Sequence, residues 1–313
     1  APLPEGVQLI KGDRHNPQDI SGLRSLGFEA LVDINAYTRE ETQTVINAFE
    51  GALTRFVHLS TVAVCQRASG VPINESDPLV TDPNAGYAYG KAECERALRW
   101  AHARSLFPFV ILRPTAVYGP RDRISRENYY LKRLIAGDPV IVPDSGAAPI
   151  FAIYVKDLAE VIANALTARG VEGLSYHLSQ PELVSVNEHV TNIARFAEVE
   201  ANLVNIPSRL LARLGFNLDH LPYYCNDQLI VCDTQAAARD LDFAPTPYLR
   251  ALRETIEYFL DRDPEHCPSF GDGGANVIPR SRERVLADRY RAAMREIEDR
   301  LTEQWLSEGL PAS

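Results

Sequence analysis

The sequence predicts an α/β protein built on a doubly wound parallel sheet, with a second, smaller lobe. Short apolar runs alternate with helix-patterned segments through the first half of the chain, as they do where each crossover between parallel strands is a helix. Those runs are nearly continuous rather than alternating, which is the mark of strands covered on both faces. At 313 residues, 45% hydrophobic and 24% charged, the chain suits about two domains and a substantial core.

Val7-Gln8-Leu9-Ile10 is a strand-like run ending at Gly12-Asp13-Arg14. Asp19 and Ser21 are candidate helix caps ahead of a second apolar run, Ala30 to Ile34. Thr38 with Glu40 and Glu41 behind it is a helix-start signature, and the helix it opens carries Val45, Ile46 and Phe49 on one side. Arg55 to Ser60 is a third strand. After a loop rich in Pro, Asp and Asn over residues 70–85, a helix runs from about Tyr87 to Ser105. Phe109 to Arg113 is a fourth strand, closed by Pro114. Residues 120–150 read as loop-rich around one helix, Tyr129 to Ala136, and Val155 to Leu166 is another helix. Tyr176-His177-Leu178, a helix near Val186 to Glu198, and Asn202 to Pro207 follow. Residues 233–261 read as helical at both ends with a turn at Phe243-Ala244-Pro245. Pro264 to Pro279 is a linker, and Arg280 to Leu306 a charged helix. The expected domains are 1–170, with 120–150 contributing to the second lobe, then 171–263, then 264–313 as linker and terminal helix.

Composition excludes several functions. There are 32 basic and 42 acidic residues, a net charge of −10. That balance disfavours nucleic acid or an anionic membrane as the main partner, but not a small anionic ligand. No apolar run reaches the ~20 residues of a membrane span, and no signal-peptide pattern opens the chain. Cys65, Cys94, Cys225, Cys232 and Cys267 are odd in number and contain no C-x-x-C pair. They read as thiols of a reducing, cytoplasmic compartment. The seven histidines show no spacing that suggests a metal. The chain opens at Ala1 and its only methionine is Met294, so the N-terminus reads as a processed end or a fragment.

The strongest chemical signal is Tyr87-Ala88-Tyr89-Gly90-Lys91. Positions i and i+4 of a helix share a face. An ammonium beside a phenol lowers its pKa from about 10, and such a phenol can exchange a proton with an alcohol. Alone, the spacing is common by chance and a solvated helix face explains it. Its context is more specific. His58-Leu59-Ser60-Thr61 puts two hydroxyls at a strand end one element earlier, and Leu112-Arg113-Pro114-Thr115-Ala116-Val117-Tyr118-Gly119-Pro120 leaves a strand end one element later. Ligands of open α/β sheets bind outside those ends.

Together these pieces, with Tyr154-Val155-Lys156-Asp157-Leu158-Ala159, resemble the extended short-chain dehydrogenase/reductase superfamily, in its NAD-dependent epimerase/dehydratase branch. The resemblance spans roughly residues 7–260. Gly12-Asp13-Arg14 and Asp33-Ile34-Asn35 are similar to an atypical subgroup that includes chloroplast stem-loop-binding proteins. The resemblance implies a Rossmann-type fold and NAD or NADP as cofactor. It implies Tyr87 as general acid/base, Lys91 on the nicotinamide ribose and lowering the Tyr87 pKa, and Thr61 on the reacting oxygen with Ser60 as understudy. Pro114, Thr115 and Ala116 would line the nicotinamide, Asp13 would accept from adenine with Arg14 beside it, and Asn35, Ala36 and Tyr37 would border pyrophosphate and ribose. The implied reaction interconverts alcohol and ketone on a sugar-like or small polyol substrate. The alternative is a non-catalytic RNA- or protein-binding member of the same fold.

The chain departs from the family in two places. The family's G-x-x-G-x-x-G turn is absent, and only eleven residues precede Gly12, so the first strand-helix unit is expected to be missing, by truncation in the favoured reading and by evolutionary loss of cofactor binding in the alternative. The family's substrate-clamping arginine is also absent: Pro149-Ile150-Phe151-Ala152-Ile153-Tyr154 contains none. Arg121, Arg123 and Arg126 could serve from the preceding loop, with plain solvation as the alternative. Cys65 reads as a buried structural thiol. Tyr223-Tyr224 and Trp305 read as core packing or an interface. The last helix, with Val285, Leu286, Tyr290, Met294, Ile297 and Leu301, could dock on its own domain or pair with a second subunit as a homodimer.

Overall fold

The computed structural model describes residues 4–66, 70–224, 229–271 and 279–307. In chain order its helices are α1 (Pro17–Gly22), α2 (Arg39–Phe49), α3 (Tyr87–Ser105), α4 (Arg126–Ile135), α5 (Val155–Thr167), α6 (Val186–Phe196), α7 (Ser208–Arg213), α8 (Gln235–Leu241), α9 (Tyr248–Leu260) and α10 (Arg280–Ser307). Its strands are β1 (Ala30–Asp33), β2 (Arg55–Leu59), β3 (Phe109–Pro114), β4 (Ala116–Tyr118), β5 (Val140–Pro143), β6 (Ala152–Tyr154), β7 (Leu174–Leu178) and β8 (Leu203–Ile206).

Contacts divide the chain into two units that interleave in sequence. Unit 1 takes Ala1–Val117, Ala152–Gln180 and Ile230–Pro245; unit 2 takes Tyr118–Phe151, Pro181–Leu229 and Thr246–Ser313. Unit 1 carries a parallel sheet in the order β1-β2-β3-β7, with Leu31 beside Phe56, Val57 beside Val110 and Leu112 beside Tyr176. Successive side chains of a strand point to opposite faces, and both faces here are apolar. Phe56, Phe109 and Ile111 pack with Val45, Ile46 and Phe49 of α2 and Ala97, Leu98 and Ala101 of α3. Val57, Val110 and Leu112 pack with Leu158, Val161 and Ala165 of α5 and with Ala237 and Leu241 of α8. Two helical layers therefore cover the sheet, as its continuous apolar strands require.

Local chemistry fixes the elements that matter for the site. Thr38 and Glu41 form a reciprocal capping box at the start of α2: Glu41 N donates to Thr38 Oγ1 at 3.3 Å, and Thr38 N donates to Glu41 Oε2 at 3.0 Å. Helix α3 approaches the chain leaving β1 so closely that a Cβ at Gly90 would stand 2.3 Å from the Tyr37 carbonyl oxygen. Only glycine fits there.

Unit 2 pairs β5 with β8 in parallel, Val140 beside Leu203. Helix α10 docks on this unit through its first half. Arg133 donates from Nε and Nη2 to the Glu283 carboxylate, both at 2.9 Å, and Asp138 accepts from Arg280 and Arg284. Among the described residues none beyond Ala287 is buried, and Ile297, Leu301 and Trp305 are exposed.

Several expectations need correction. Val7–Ile10 forms no strand: Val7, Leu9 and Ile10 are exposed and no ladder pairs them. Without a neighbouring strand the run has no ladder to satisfy its backbone, and the Val7 N–H turns back to the Pro4 carbonyl at 3.2 Å. Asn16, not Asp19 or Ser21, caps α1, accepting from Gln18 N at 3.1 Å, with Pro17 at the first helical position. Asp19 instead accepts from Asp13 N at 2.7 Å. Helix α4 starts at Arg126 because Ser125 caps it. The segment after Pro264, read as a linker, is pinned where it is described. Asn128 Nδ2 donates to the carbonyls of Pro264, Cys267 and Pro268 at 3.1, 3.2 and 2.9 Å; residues 272–278 and Cys225 lie outside the described residues.

Candidate active site

The C-terminal ends of β1, β2 and β3 lie side by side in unit 1, and each releases a segment singled out by the sequence. Asn35, Ala36 and Tyr37 leave β1. Ser60 and Thr61 leave β2. Pro114 ends β3 and leads to Thr115 and Ala116. Helix α3 begins opposite, at Tyr87, and brings Lys91 one turn along.

The Tyr87 phenol and the Thr61 hydroxyl are neighbours, and Thr61 pulls the phenol down against its burial. Thr61 Oγ1 accepts from Ala63 N at 3.3 Å, so the turn after β2 holds it in place. The Tyr87 ring is about half exposed, at 55%, and its centroid lies 6.1 Å from that of Tyr37 at an interplanar angle of 49°. Lys91 is buried. Its Nζ donates to the Leu59 carbonyl at 2.7 Å and stands 5.0 Å from the Tyr37 ring centroid.

The electrostatics correct one expectation. The Tyr87 phenol lies above its ordinary value of 10.0: burial pushes it up, Thr61 pulls it back, and the Tyr37 phenol pushes it up again. Lys91 faces the Tyr37 ring and the strand end, so it does not lower the phenol. Burial lowers the Lys91 ammonium itself, against the raising pull of Cys94 and Asp33.

The other candidates divide between open and committed side chains. Asn35, Tyr37 and Asp13 are exposed. Asp13 Oδ1 accepts from His15 N at 2.9 Å, which shapes a local turn. Arg14 is committed: Nη1 and Nη2 donate to the two Asp33 oxygens at 3.0 and 3.1 Å, Nη1 also reaches Asn35 Oδ1, and Nε lies 3.5 Å from Glu41. Burial pushes Asp33 up, but the Arg14 hydrogen bond and the positive charge of Arg14 and its neighbours together outweigh it, and the carboxyl ends below its ordinary value. Ser60 is buried and donates to Glu95 Oε1 at 2.7 Å, so it faces the interior rather than the strand-end opening. Thr115 is buried and donates to the Leu178 carbonyl at 3.3 Å. Ala36 is buried and Ala116 half-buried.

Beneath the site lies a polar layer that sequence reasoning did not assemble. Arg113 donates to both Glu95 oxygens, at 2.9 and 2.6 Å, with both side chains almost wholly buried. Its Nη1 reaches the Glu75 carbonyl at 3.1 Å and lies 3.4 Å from His177 Nε2, which is 3.5 Å from Cys65 Sγ. Burial raises the Cys65 thiol to about 11, which makes it a poor nucleophile. His58 is wholly buried, and neither ring nitrogen has a hydrogen-bond partner among the described residues. A charged residue in an otherwise apolar strand, Arg113, was the available signal, together with a carboxylate on the inward side of α3.

Among the described residues no group of three or more His, Cys, Asp or Glu side chains could hold a metal ion, and no helix is long and apolar enough to cross a membrane.

The model of the NAD dependent epimerase/dehydratase family matches residues 28–178. The chain is 31% identical over 158 residues to the chloroplast stem-loop binding protein of 41 kDa b of Arabidopsis thaliana, covering 50% of this chain and 40% of that protein. It is 23% identical over 215 residues to 2'-dehydrokanamycin reductase of Streptomyces kanamyceticus, covering 67% and 60% respectively. The chain thus spans about half the length of these curated relatives. Among solved structures, UDP-glucuronic acid 4-epimerase of Bacillus cereus, in complex with UDP-glucuronic acid and NAD, superposes with a TM-score of 0.65 at 21% identity over 81% of this chain and 82% of that one.

Proposed function

This chain belongs to the NAD dependent epimerase/dehydratase family through residues 28–178, and on that premise we propose that it interconverts an alcohol and a ketone on a sugar-like or small polyol substrate with NAD or NADP. The observation that carries this reading is that Thr61 and the start of α3, with Tyr87 and Lys91, lie together at the C-terminal edge of a parallel sheet, Thr61 beside the Tyr87 phenol and the Lys91 ammonium on the Leu59 carbonyl.

The residues present suit the nicotinamide-ribose end of a dinucleotide. Among the described residues Lys91 donates one hydrogen bond, to the Leu59 carbonyl, of the three its ammonium can make, and Tyr37 offers an exposed ring beside it. The pyrophosphate end is less provided for. At the junction of β1 and α2 the Glu41 carboxylate already accepts from Tyr37 N and Thr38 N, the donors a phosphate would seek. When bound, the nicotinamide supplies or takes up the hydride.

The remaining chemistry belongs to side chains. Thr61 donates to the reacting oxygen and orients it. Tyr87, its phenol held above the ordinary value, is protonated at neutral pH and gives its proton to that oxygen as a ketone is reduced. Being half exposed, it regains a proton from water. Lys91, turned toward the strand end and the Tyr37 ring, is left to hold the nicotinamide ribose. The protonated phenol favours reduction over oxidation as the working direction. The free thiols of Cys65, Cys94 and Cys267 support a reducing, cytoplasmic setting.

A second reading, a non-catalytic RNA- or protein-binding member of the fold, is favoured by the stem-loop-binding relative; the net charge of −10 weighs against RNA. The test is to follow nicotinamide absorbance with NADH and NADPH against a panel of keto sugars and small ketones. Turnover with one cofactor supports the enzyme. No turnover with either, together with tight binding of a structured RNA, supports the second reading and removes the first.

A further inference from the structure

Unit 2 holds a cavity of about 400 Å³, within the range of about 300–1,000 Å³ that small-molecule sites occupy. Its wall is made by the end of β5, the turn at Asp144–Ala148, Phe151, the start of α6 at Val186, and the chain through Tyr223 and Tyr224. Nothing in the catalytic proposal uses these residues.

The wall is built rather than loose. Phe151 and Tyr223 meet edge to face at 5.8 Å and 86°. Tyr223 adopts the left-handed backbone, φ +61°, a conformation that costs energy for a bulky residue and persists where the surroundings over-determine it. The restraint is visible: its hydroxyl donates to Glu127 Oε1 at 2.5 Å, Glu127 is wholly buried, and His189 stands behind it, Nε2 at 3.5 Å from Glu127 and Nδ1 at 2.9 Å from the Tyr248 hydroxyl. With its hydroxyl turned inward, Tyr223 offers the cavity ring surface. The opposite turn is stapled from two sides. Ser208 N donates to Asp144 Oδ1 at 2.8 Å, and Asn187 Nδ2 donates to the Ser145 carbonyl at 2.9 Å.

The chemistry of the lining is one-sided. Asp144 is its only ionisable side chain apart from the tyrosines among the described residues. The cation packed against this wall is Arg126, which lies over the Tyr223 ring at 5.5 Å and the Phe270 ring at 5.1 Å. A diphosphate placed here would face a carboxylate and apolar surface, with no guanidinium fork to receive it. An uncharged ring would meet the two aromatic walls at little desolvation cost.

We propose that this cavity binds an uncharged ring-bearing group and rejects nucleoside diphosphates. As the holder of one end of the substrate, it rests on the reading above; as a binding site, it stands without it. The test uses the full chain without cofactor and compares phenyl β-D-glucopyranoside with uridine diphosphate by ligand-observed NMR. The glucoside is expected to bind at least about tenfold more tightly than uridine diphosphate. Ala148→Trp and Leu229→Trp, at half-exposed or exposed lining positions, are expected to weaken glucoside binding about tenfold or more with unchanged thermal stability. Uridine diphosphate binding as tightly as the glucoside, no binding of either, or glucoside binding indifferent to both variants would overturn the proposal. Glucoside binding without turnover on any ketone would leave this site standing and remove the catalytic reading alone.

Discussion

The ammonium of Lys91 stands 5.0 Å from the centre of the Tyr37 ring, and that contact ties the end of β1 to the buried side of α3. The ring face offers the ammonium electron density while keeping water from it. Tyr37→Leu removes this and is expected to cost about 0.5–1 kcal/mol of stability in urea unfolding. Tyr37→Phe keeps the ring and should stay close to the parent. Equal loss in the two variants would show that the hydroxyl, not the ring, matters.

Arg113 and Glu95 form a buried two-pronged pair. Removing one partner leaves the other charged in a low-dielectric interior, so Arg113→Leu should destabilise by about 3–5 kcal/mol. The double change with Glu95→Leu should recover much of that, because two apolar side chains leave no orphaned charge. Additive losses measured by chemical denaturation would contradict the pairing.

His58 gives a pH signature. Burial lowers its pKa from 6.5 to about 4, and Lys91 adds to the lowering. The unfolded chain therefore binds a proton that the folded chain refuses. Stability from this group is complete above pH 6.5, falls with a slope approaching about 1.4 kcal/mol per pH unit between 6.5 and 4, and is lost below. His58→Leu should flatten the stability profile across that window. Glu95 acts lower: burial pushes its carboxyl up, the hydrogen bonds and charge of Arg113 with help from Ser60 and Arg99 together reverse this, and the net value lies below 4.5. Its contribution is present above 4.5 and is lost as pH falls through the folded value, so acid unfolding should remain in the His58 variant below that point.

The Thr38–Glu41 box was legible in the sequence and is formed. Thr38→Ala should cost about 1 kcal/mol, read as a lowered denaturation midpoint, whereas Thr38→Asn should be nearly neutral.

What could be read in advance was what depends on near neighbours in the chain. The strands β2 and β3 and the helix α3 stand where the apolar runs and the helical pattern put them, because both faces of the sheet are covered. Val7–Ile10 has the same local character, but a strand needs a partner beside it. The short strands β4, β5 and β6 lie in stretches that read as loop or helix start, since three or four residues carry little period. At the site, the gathering of the β2 and β3 strand ends was legible from order along an α/β sheet. The heading of Lys91 was not. Spacing puts it on the same face as Tyr87, but burial against Leu59 and Tyr37 decides where the ammonium goes. The Arg14–Asp33 pair and the Arg113–Glu95 pair join positions far apart in the chain, and only the folded sheet brings them together.

The most direct test of the account is Tyr87→Phe in the full chain, with kcat and cofactor Kd measured side by side. The account expects kcat for ketone reduction to fall by about 10²–10⁴, with cofactor Kd within about threefold of the parent, since the ring stays and only the proton donor goes. Unchanged kcat would contradict it.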